Sequence, residues 1–202
     1  MKKGFTLIEL LIVIAILALL MSIIIITLNP AELLKKSRDT KRVSDLNALR
    51  TALNLYVTDK SAPDLDGTGA CATNRWFSLS TATISTQYAT GLATTTPRLT
   101  TGAGWVPVNF GSISSGSPLS ALPVDPTNAT STTEASNLYY TYACDSTAVN
   151  FELNARMEST YYKLNGDGDV VNTDGGDAAY LYEVGSHPGL DLMSGTTTGF
   201  YY

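Results

Sequence analysis

Residues 2–9 of this chain read Lys-Lys-Gly-Phe-Thr-Leu-Ile-Glu, and they open an apolar run that extends from Phe5 to Leu28. The polar exceptions within that run are Thr6, Glu9, Ser22 and Thr27. A helix of 24 residues is about 36 Å long, which is enough to cross the hydrocarbon layer of a membrane. An ionised carboxylate in such a segment costs roughly 2.5–3.5 kcal/mol or more, so Glu9 predicts a partner that neutralises it.

Two simpler interpretations of the run fit less well. A secretory signal has about 7–15 apolar residues followed by small residues at the cleavage site, whereas this run is longer and leads directly into a helix-forming sequence. A plain membrane anchor has no need of Glu9. Lys2 and Lys3 predict a cytoplasmic N-terminus, which places the chain after Leu28 on the outer side.

Residues 4–9 resemble the processing motif of the type IV pilins and the related pseudopilins. The likeness covers about the first 60 residues. It implies that a prepilin peptidase cuts between Gly4 and Phe5 and methylates the new amine of Phe5. It further implies that Glu9 pairs with the terminal amine of a neighbouring subunit as a filament assembles.

The resemblance also implies an α+β fold, the type IV pilin fold, in which a long N-terminal helix packs on a small antiparallel sheet. We expect a removable leader at residues 1–4, a transmembrane and filament-core helix at 5–28, and the second half of that helix at 29–60. Residues 61–202 are expected to form one β-rich head with a long Ser/Thr-rich loop, since the length leaves little room for a second domain.

Local patterns predict the elements of that fold. Pro30 should interrupt the helix, because proline has no amide hydrogen and its ring crowds the preceding turn. The helix should end near Asp59, before a breaker-rich segment. An apolar stripe is predicted at three- and four-residue steps, and it consists of Leu46, Leu49, Leu53 and Tyr56.

The second half of the chain carries the strand signals. Residues 137–144 and 149–156 alternate in polarity and predict an antiparallel hairpin, and residues 161–164 and 179–183 predict one or two further strands. Residues 122–126 resemble the Pro-x-Asp-Pro entry to the sheet in pseudopilins of type II secretion. Within the loop-like stretch 61–136, two aromatic clusters at 76–77 and 105–108 are expected to fasten the loop onto the head.

Charge is divided along the chain, which carries −5 in total. Residues 1–42 carry a net charge of +4 and the remainder −9, so the head is too acidic for non-specific binding of nucleic acid. A basic cluster follows the apolar run. The cluster either forms a solvated surface that faces lipid phosphates or pairs with acidic groups of adjacent subunits. Its members are Lys35, Lys36, Arg38, Lys41 and Arg42.

Cys71 and Cys144 are the only cysteines. An even count in an exported chain suggests one disulfide, and the alternatives are two buried thiols or two metal ligands. A zinc-type site is disfavoured because there is no CxxC spacing and His187 is the only histidine.

An aspartate-rich segment near the C-terminus places oxygen ligands at alternate positions. The candidate calcium ligands are Asn165, Asp167, Asp169, Asp174 and Asp177. The segment does not fit an EF-hand, since Val170 stands where that motif has glycine and Gly176 where it has glutamate. The alternative is a solvated turn without an ion, and no other cofactor is required.

No motif for nucleotide binding, hydrolysis or metal-dependent catalysis is present, which predicts a structural protein and not an enzyme. We expect a type IV pilus subunit, with a pseudopilin of a secretion or competence system and a non-polymerising membrane-anchored binding protein as alternatives. The expected partners are copies of the same chain, the prepilin peptidase, the inner-membrane assembly platform and minor pilins. The chain should lie in the membrane before assembly and in an extracellular filament afterwards.

Overall fold

Two consecutive helices, α1 and α2, begin the molecule. The computed structural model describes residues 4–67, 71, 76–79, 98–129, 138–145, 147, 149–176, 178 and 180–186. Helix α1 spans Leu7–Leu28 and α2 spans Pro30–Asp59. Asn29 lies between them with φ 41° and ψ 74°, and it caps both helices. The predicted interruption is thus confirmed as a break of a single residue, and the predicted end at Asp59 is also confirmed.

A four-stranded antiparallel sheet forms the centre of the head. The strands are β1 (Trp76–Phe77), β2 (Tyr140–Asp145), β3 (Asn150–Ala155) and β4 (Tyr182–Gly185), and they lie in sequence order across the sheet. β2 and β3 are paired from Tyr140 with Ala155 to Asp145 with Asn150, which confirms the predicted hairpin. A long apolar helix followed by this sheet is an α+β arrangement consistent with the pilin fold.

Trp76 and Phe77 are buried and fasten their segment to the head as expected, and they do so as an edge strand that pairs with β2. Two strand predictions need correction. Residues 161–164 were expected to be a strand and instead form a turn, because the N–H of Lys163 donates to the carbonyl of Ser159 and the segment packs against α2. The last strand begins at Tyr182, later than predicted, while residue 179 lies outside the described residues.

The core lies between α2 and one face of the sheet. The predicted stripe is confirmed: its four residues are at most 5% exposed. Alternate residues of the strands face it, because side chains on a strand point to opposite faces of the sheet in turn. The strand residues that join this core are Trp76, Tyr140, Tyr142, Cys144, Phe151, Leu153, Ala155, Tyr182 and Val184.

Residues 98–129 cover one end of this core as an irregular loop. Trp105 is fully buried and donates from its indole Nε1 to the carbonyl of Pro123 over 2.8 Å, as expected for a residue that fastens the loop. A short 3₁₀ helix, Phe110–Ser112, adds the buried ring of Phe110 beside Tyr56. Most of the remaining Ser/Thr-rich stretch lies outside the described residues.

Candidate assembly and processing site

Thr6 and Glu9 form a reciprocal cap at the start of α1. The backbone N–H and the hydroxyl of Thr6 donate to the same carboxylate oxygen of Glu9, Oε2, over 2.8 and 2.7 Å. The N–H of Glu9 donates back to the Thr6 hydroxyl over 3.3 Å. This capping box satisfies helix N–H groups that have no partner within the helix. Glu9 therefore has a local role that sequence reasoning missed, although the Thr-x-x-Glu spacing signals it.

The geometry leaves one side of the Glu9 carboxylate free. Within the described residues, Oε1 of Glu9 accepts no hydrogen bond, because both bonds from Thr6 end on Oε2. The residue is exposed on the outside of α1. A carboxylate held in one rotamer with a free oxygen can receive a cation from outside the helix.

Helix α1 lies outside the packed core of the part of the chain that the structure describes. Leu7–Ile25 is the one helix in the described part that is long and apolar enough to cross a membrane by length and composition, and none of it is buried. Its large side chains point outward around the whole circumference, from Val13 at 46% exposed to Leu7 at 81%. A helix that is apolar on all sides is stable only when lipid or other apolar helices surround it.

The predicted cleavage position lies just before this helix. Phe5 is 82% exposed, and Gly4 has nothing within 4 Å of the place where a side chain would begin. Among the described residues, packing therefore gives no reason for glycine at position 4. The cut between Gly4 and Phe5 stays a prediction.

A buried charge cluster joins α2 to the head. Arg42 is fully buried and donates from Nε and Nη2 to both carboxylate oxygens of Asp125, over 2.6 and 2.8 Å. Its Nη1 donates to Asp39 over 2.8 Å, and its Nη2 lies 2.6 Å from Glu158. Arg38 binds the same Glu158 through two bonds of 2.8 and 2.6 Å.

This cluster shifts the pKa values of its members. Burial alone would lower the pKa of Arg42, but the hydrogen bonds and charges of Asp125, Glu158 and Asp39 raise it above its ordinary value. Burial likewise opposes ionisation of Glu158, but its bonds to Arg38 and Arg42 outweigh that effect and lower its pKa to about 2. Both residues therefore carry full charge at neutral pH.

The basic cluster was predicted to face lipid or adjacent subunits, and for Arg38 and Arg42 both interpretations are wrong. Their guanidinium groups bind carboxylates of their own head, which a sequence cannot show because the partners lie 83 to 120 residues away. The other members also have contacts in the chain. Lys35 pairs with Glu32, Lys36 lies over the ring of Tyr161, and Lys41 pairs with Asp45.

The two cysteines form the expected disulfide. Cys71 and Cys144 are bonded, with Cα atoms 4.9 Å apart, and each is 1% exposed. Cys144 lies on β2, so the bond fastens the segment after α2 to the middle of the sheet. The alternatives of free thiols and metal ligands are thereby excluded for this pair.

The aspartate-rich segment is a turn whose carboxylates bind its own backbone. Asp169 accepts N–H groups from Asn165, Val171 and Asn172 over 2.7 to 3.0 Å, and these bonds lower its pKa, led by that from Asn172. Asp174 accepts from Gly176 and Glu183 over 2.9 and 2.8 Å, while partial burial raises its pKa.

Calcium binding by this turn stays a prediction. Among the described residues, no group of three or more His, Cys, Asp or Glu side chains is close enough to hold a metal ion. Asp169 and Asp174 are committed to backbone N–H groups, and Asp167 is in the same turn. Asp177 lies outside the described residues, as does His187.

Comparison with known proteins gives one match. Residues 1–25 match the family model described as the prokaryotic N-terminal methylation motif. Neither the curated proteins nor the solved structures give a match. The match covers the predicted leader and most of α1, including the Thr6–Glu9 cap, and the head lies beyond it. The chain thus begins with the prokaryotic N-terminal methylation motif, the class III signal peptide of type IV pilins and pseudopilins.

Proposed function

We propose that this chain is the structural subunit of a type IV pilus, and that it polymerises through α1 into an extracellular filament for adhesion, motility or DNA uptake. The observation that carries the proposal is the combination of an α1 exposed on every side with a carboxylate at its start. Before assembly, lipid surrounds α1. In the filament, copies of α1 from other subunits take the place of lipid, and an apolar helix tolerates either environment.

Glu9 supplies the register in this proposal. Cleavage after Gly4 would create a positively charged amine on Phe5, and the free Oε1 of Glu9 faces outward to accept such a group from a neighbour. Within an apolar bundle, a paired carboxylate and ammonium are tolerated, whereas either one alone is strongly destabilising. Subunits would therefore stop sliding where the two charges meet.

The outer face of α2 supports helix packing beyond the membrane segment. This face carries a single charge, Lys41, which is already bonded to Asp45. Small side chains along a helix allow another helix to approach closely. The exposed residues that follow one another along this face are Leu34, Ser37, Lys41, Ser44, Ala48, Thr51 and Leu55.

A second candidate function is that of a pseudopilin, the subunit of a short fibre in a secretion or competence system. The segment of residues 122–126 favours it, through its likeness to the Pro-x-Asp-Pro entry of those proteins. In this chain the aspartate of that segment, Asp125, binds Arg42 and so joins the segment to α2.

The first experiment is to determine the N-terminus of the mature protein by intact-mass and peptide mass spectrometry. We expect it to begin at Phe5 with a methylated amine. A mature chain that still begins at Met1 would contradict the proposal and favour a tethered, non-polymerising protein. Electron microscopy of sheared surface material would then show long pili, or short fibres if the pseudopilin alternative holds.

The second experiment separates the two roles of Glu9. Glu9→Gln keeps an oxygen that can accept the Thr6 N–H but removes the charge, while Glu9→Ala removes both. We expect both variants to reach the membrane and fold, and both to form few filaments. Normal filaments from Glu9→Gln alone would show that capping is the only role of this residue.

A further inference from the structure

The two halves of α2 are held to the head by different kinds of contact. From Leu46 to Tyr56, the buried residues pack into the apolar core. In residues 30–42, which we call the basal turns, the only buried residues are Asp39 and Arg42, and both are charged. The apolar contact with the core begins at Val43, which is partly buried.

The basal turns contact two parts of the head: Arg42 binds Asp125 of the loop 98–129, and the other contacts come from one short segment after β3. We call residues 158–162 the polar clasp. The carboxylate of Asp39 accepts the N–H of Glu158 over 2.9 and 3.1 Å and that of Ser159 over 2.7 Å. The side chain of Glu158 binds Arg38 and Arg42 in return.

The contacts of the polar clasp continue towards the start of α2. Each contact with α2 is polar or involves a charged group, and most lie at the surface, while the ring of Tyr162 also packs against the apolar core of the head. The further pairs are Glu32 with the N–H and hydroxyl of Thr160, Lys36 with the ring of Tyr161 at 3.6 Å, and Thr40 with the hydroxyl of Tyr162 at 3.2 Å.

Polar contacts and apolar contacts differ in what opening them costs. When a hydrogen bond or surface ion pair opens, water replaces the lost partner, so the net loss is small. The buried charges of Arg42, Asp39 and Asp125 also regain water when their contact opens, and this hydration offsets much of the attraction that they lose. When an apolar side chain leaves a core, its whole buried area is exposed to water, and nothing replaces the lost contact. Local opening free energies in proteins accordingly range from near zero up to the global value.

We propose that the basal turns detach from the head as one unit, which opens their contacts with the polar clasp and the pair of Arg42 with Asp125, while residues 46–56 of α2 remain docked in the core. The unit is bounded at one end by the break at Asn29 and at the other by the first apolar contact, Val43. Opening it frees the direction of the membrane helix relative to the head without unfolding the head. The inference concerns a single protomer and does not depend on polymerisation.

Backbone amides at the polar clasp report this opening directly. The N–H groups of Glu158, Ser159 and Thr160 donate to carboxylates of α2, so they exchange with solvent only when the clasp opens. The basal turns should report it too, because a helix of this length is marginal once it loses its tertiary contacts.

The test is hydrogen–deuterium exchange with mass spectrometry on the full chain in detergent micelles. We expect the amides of residues 36–42 and 158–160 to exchange about tenfold or more faster than those of residues 49–56. Thr160→Val should speed exchange at residues 36–42 and 158–160 but not at residues 49–56. Its matched control is Thr51→Val, on the exposed face of the same helix, which should change neither group.

A core substitution makes the test decisive even if a clasp variant folds poorly. Leu49→Ala leaves a cavity beneath residues 46–56, so it should speed exchange there and leave the basal turns at their original rate. Equal exchange in the two halves of wild-type α2, or an equal response of both halves to Leu49→Ala, would overturn the inference, because α2 would then open as one cooperative unit.

Discussion

The guanidinium of Arg42 donates hydrogen bonds to both carboxylate oxygens of Asp125, a residue 83 positions later in the sequence. Neither side chain is exposed to solvent. This pair joins α2 to the loop in front of the sheet. Since both charges are buried in the closed contact, removal of one partner leaves the other buried and unpaired.

Replacement of Arg42 should therefore destabilise the head strongly. Arg42→Met leaves the carboxylates of Asp39 and Asp125 buried without their cation, and loss of one partner from a buried ion pair costs about 3–5 kcal/mol. Urea unfolding followed by tyrosine and tryptophan fluorescence would measure this cost. The control is Lys35→Met on the same helix, whose side chain is 43% exposed and whose ion pair with Glu32 contributes about 1 kcal/mol or less.

The low pKa of Glu158 predicts a dependence of stability on pH. Because its pKa falls from 4.5 to about 2 on folding, the folded state gains stability from its ionised form above about pH 4.5. That gain is lost as the pH falls from 4.5 towards 2. Urea midpoints measured at intervals through this window should decrease for the wild type.

Glu158→Gln is the matched control for the pH series. It should be less stable at neutral pH, and its midpoint should decrease less through the same window. Parallel curves for the two proteins would show that other carboxylates produce the acid sensitivity.

Loss of the disulfide should lower stability through the unfolded state. The bond closes a loop with a sequence separation of 73, for which the chain-entropy model gives about 4 kcal/mol. We expect the Cys71→Ser, Cys144→Ser double variant to unfold at clearly lower urea concentration. Reduction of the wild type should lower its midpoint to a similar degree, and an unchanged midpoint would contradict a stabilising role.

The aspartate turn should keep its structure without calcium. Asp169 accepts three backbone N–H groups, so Asp169→Ala should lower stability, whether calcium or a chelator is present. If the turn binds no ion, the melting temperature of the wild type is equal in both conditions. A higher melting temperature in calcium, lost in Asp174→Asn, would instead reveal a site at this turn.

Features with a local signal in the sequence were predicted well. The Leu46 stripe repeats every three or four residues, and the β2–β3 hairpin alternates every two, so each pattern identifies its own element. Pro30 marks the break between the helices because proline itself lacks the amide hydrogen that would continue the first helix. The motif at residues 4–9 is also local, and it was the part that comparison confirmed.

Features that depend on distant partners were not predicted. Trp76–Phe77 is too short to show a strand period, and it becomes a strand only because β2 offers it an edge. Residues 161–164 have the composition of a strand, but contacts with α2 hold them in a turn. The buried role of Arg42 depends on Asp125 and Glu158, and nothing near Arg42 in the sequence indicates either.

The break at Asn29 makes the direction of α1 relative to α2 depend on the backbone bonds of a single residue. Helix α1 has 22 residues and is thus about 33 Å long, and Asn29 alone connects it to α2. A rotation of roughly 20° about one backbone bond of Asn29 would swing the far end of this lever by up to about 11 Å. A small change in one backbone angle of Asn29 is thereby converted into a displacement of the start of α1 that is about as wide as a helix.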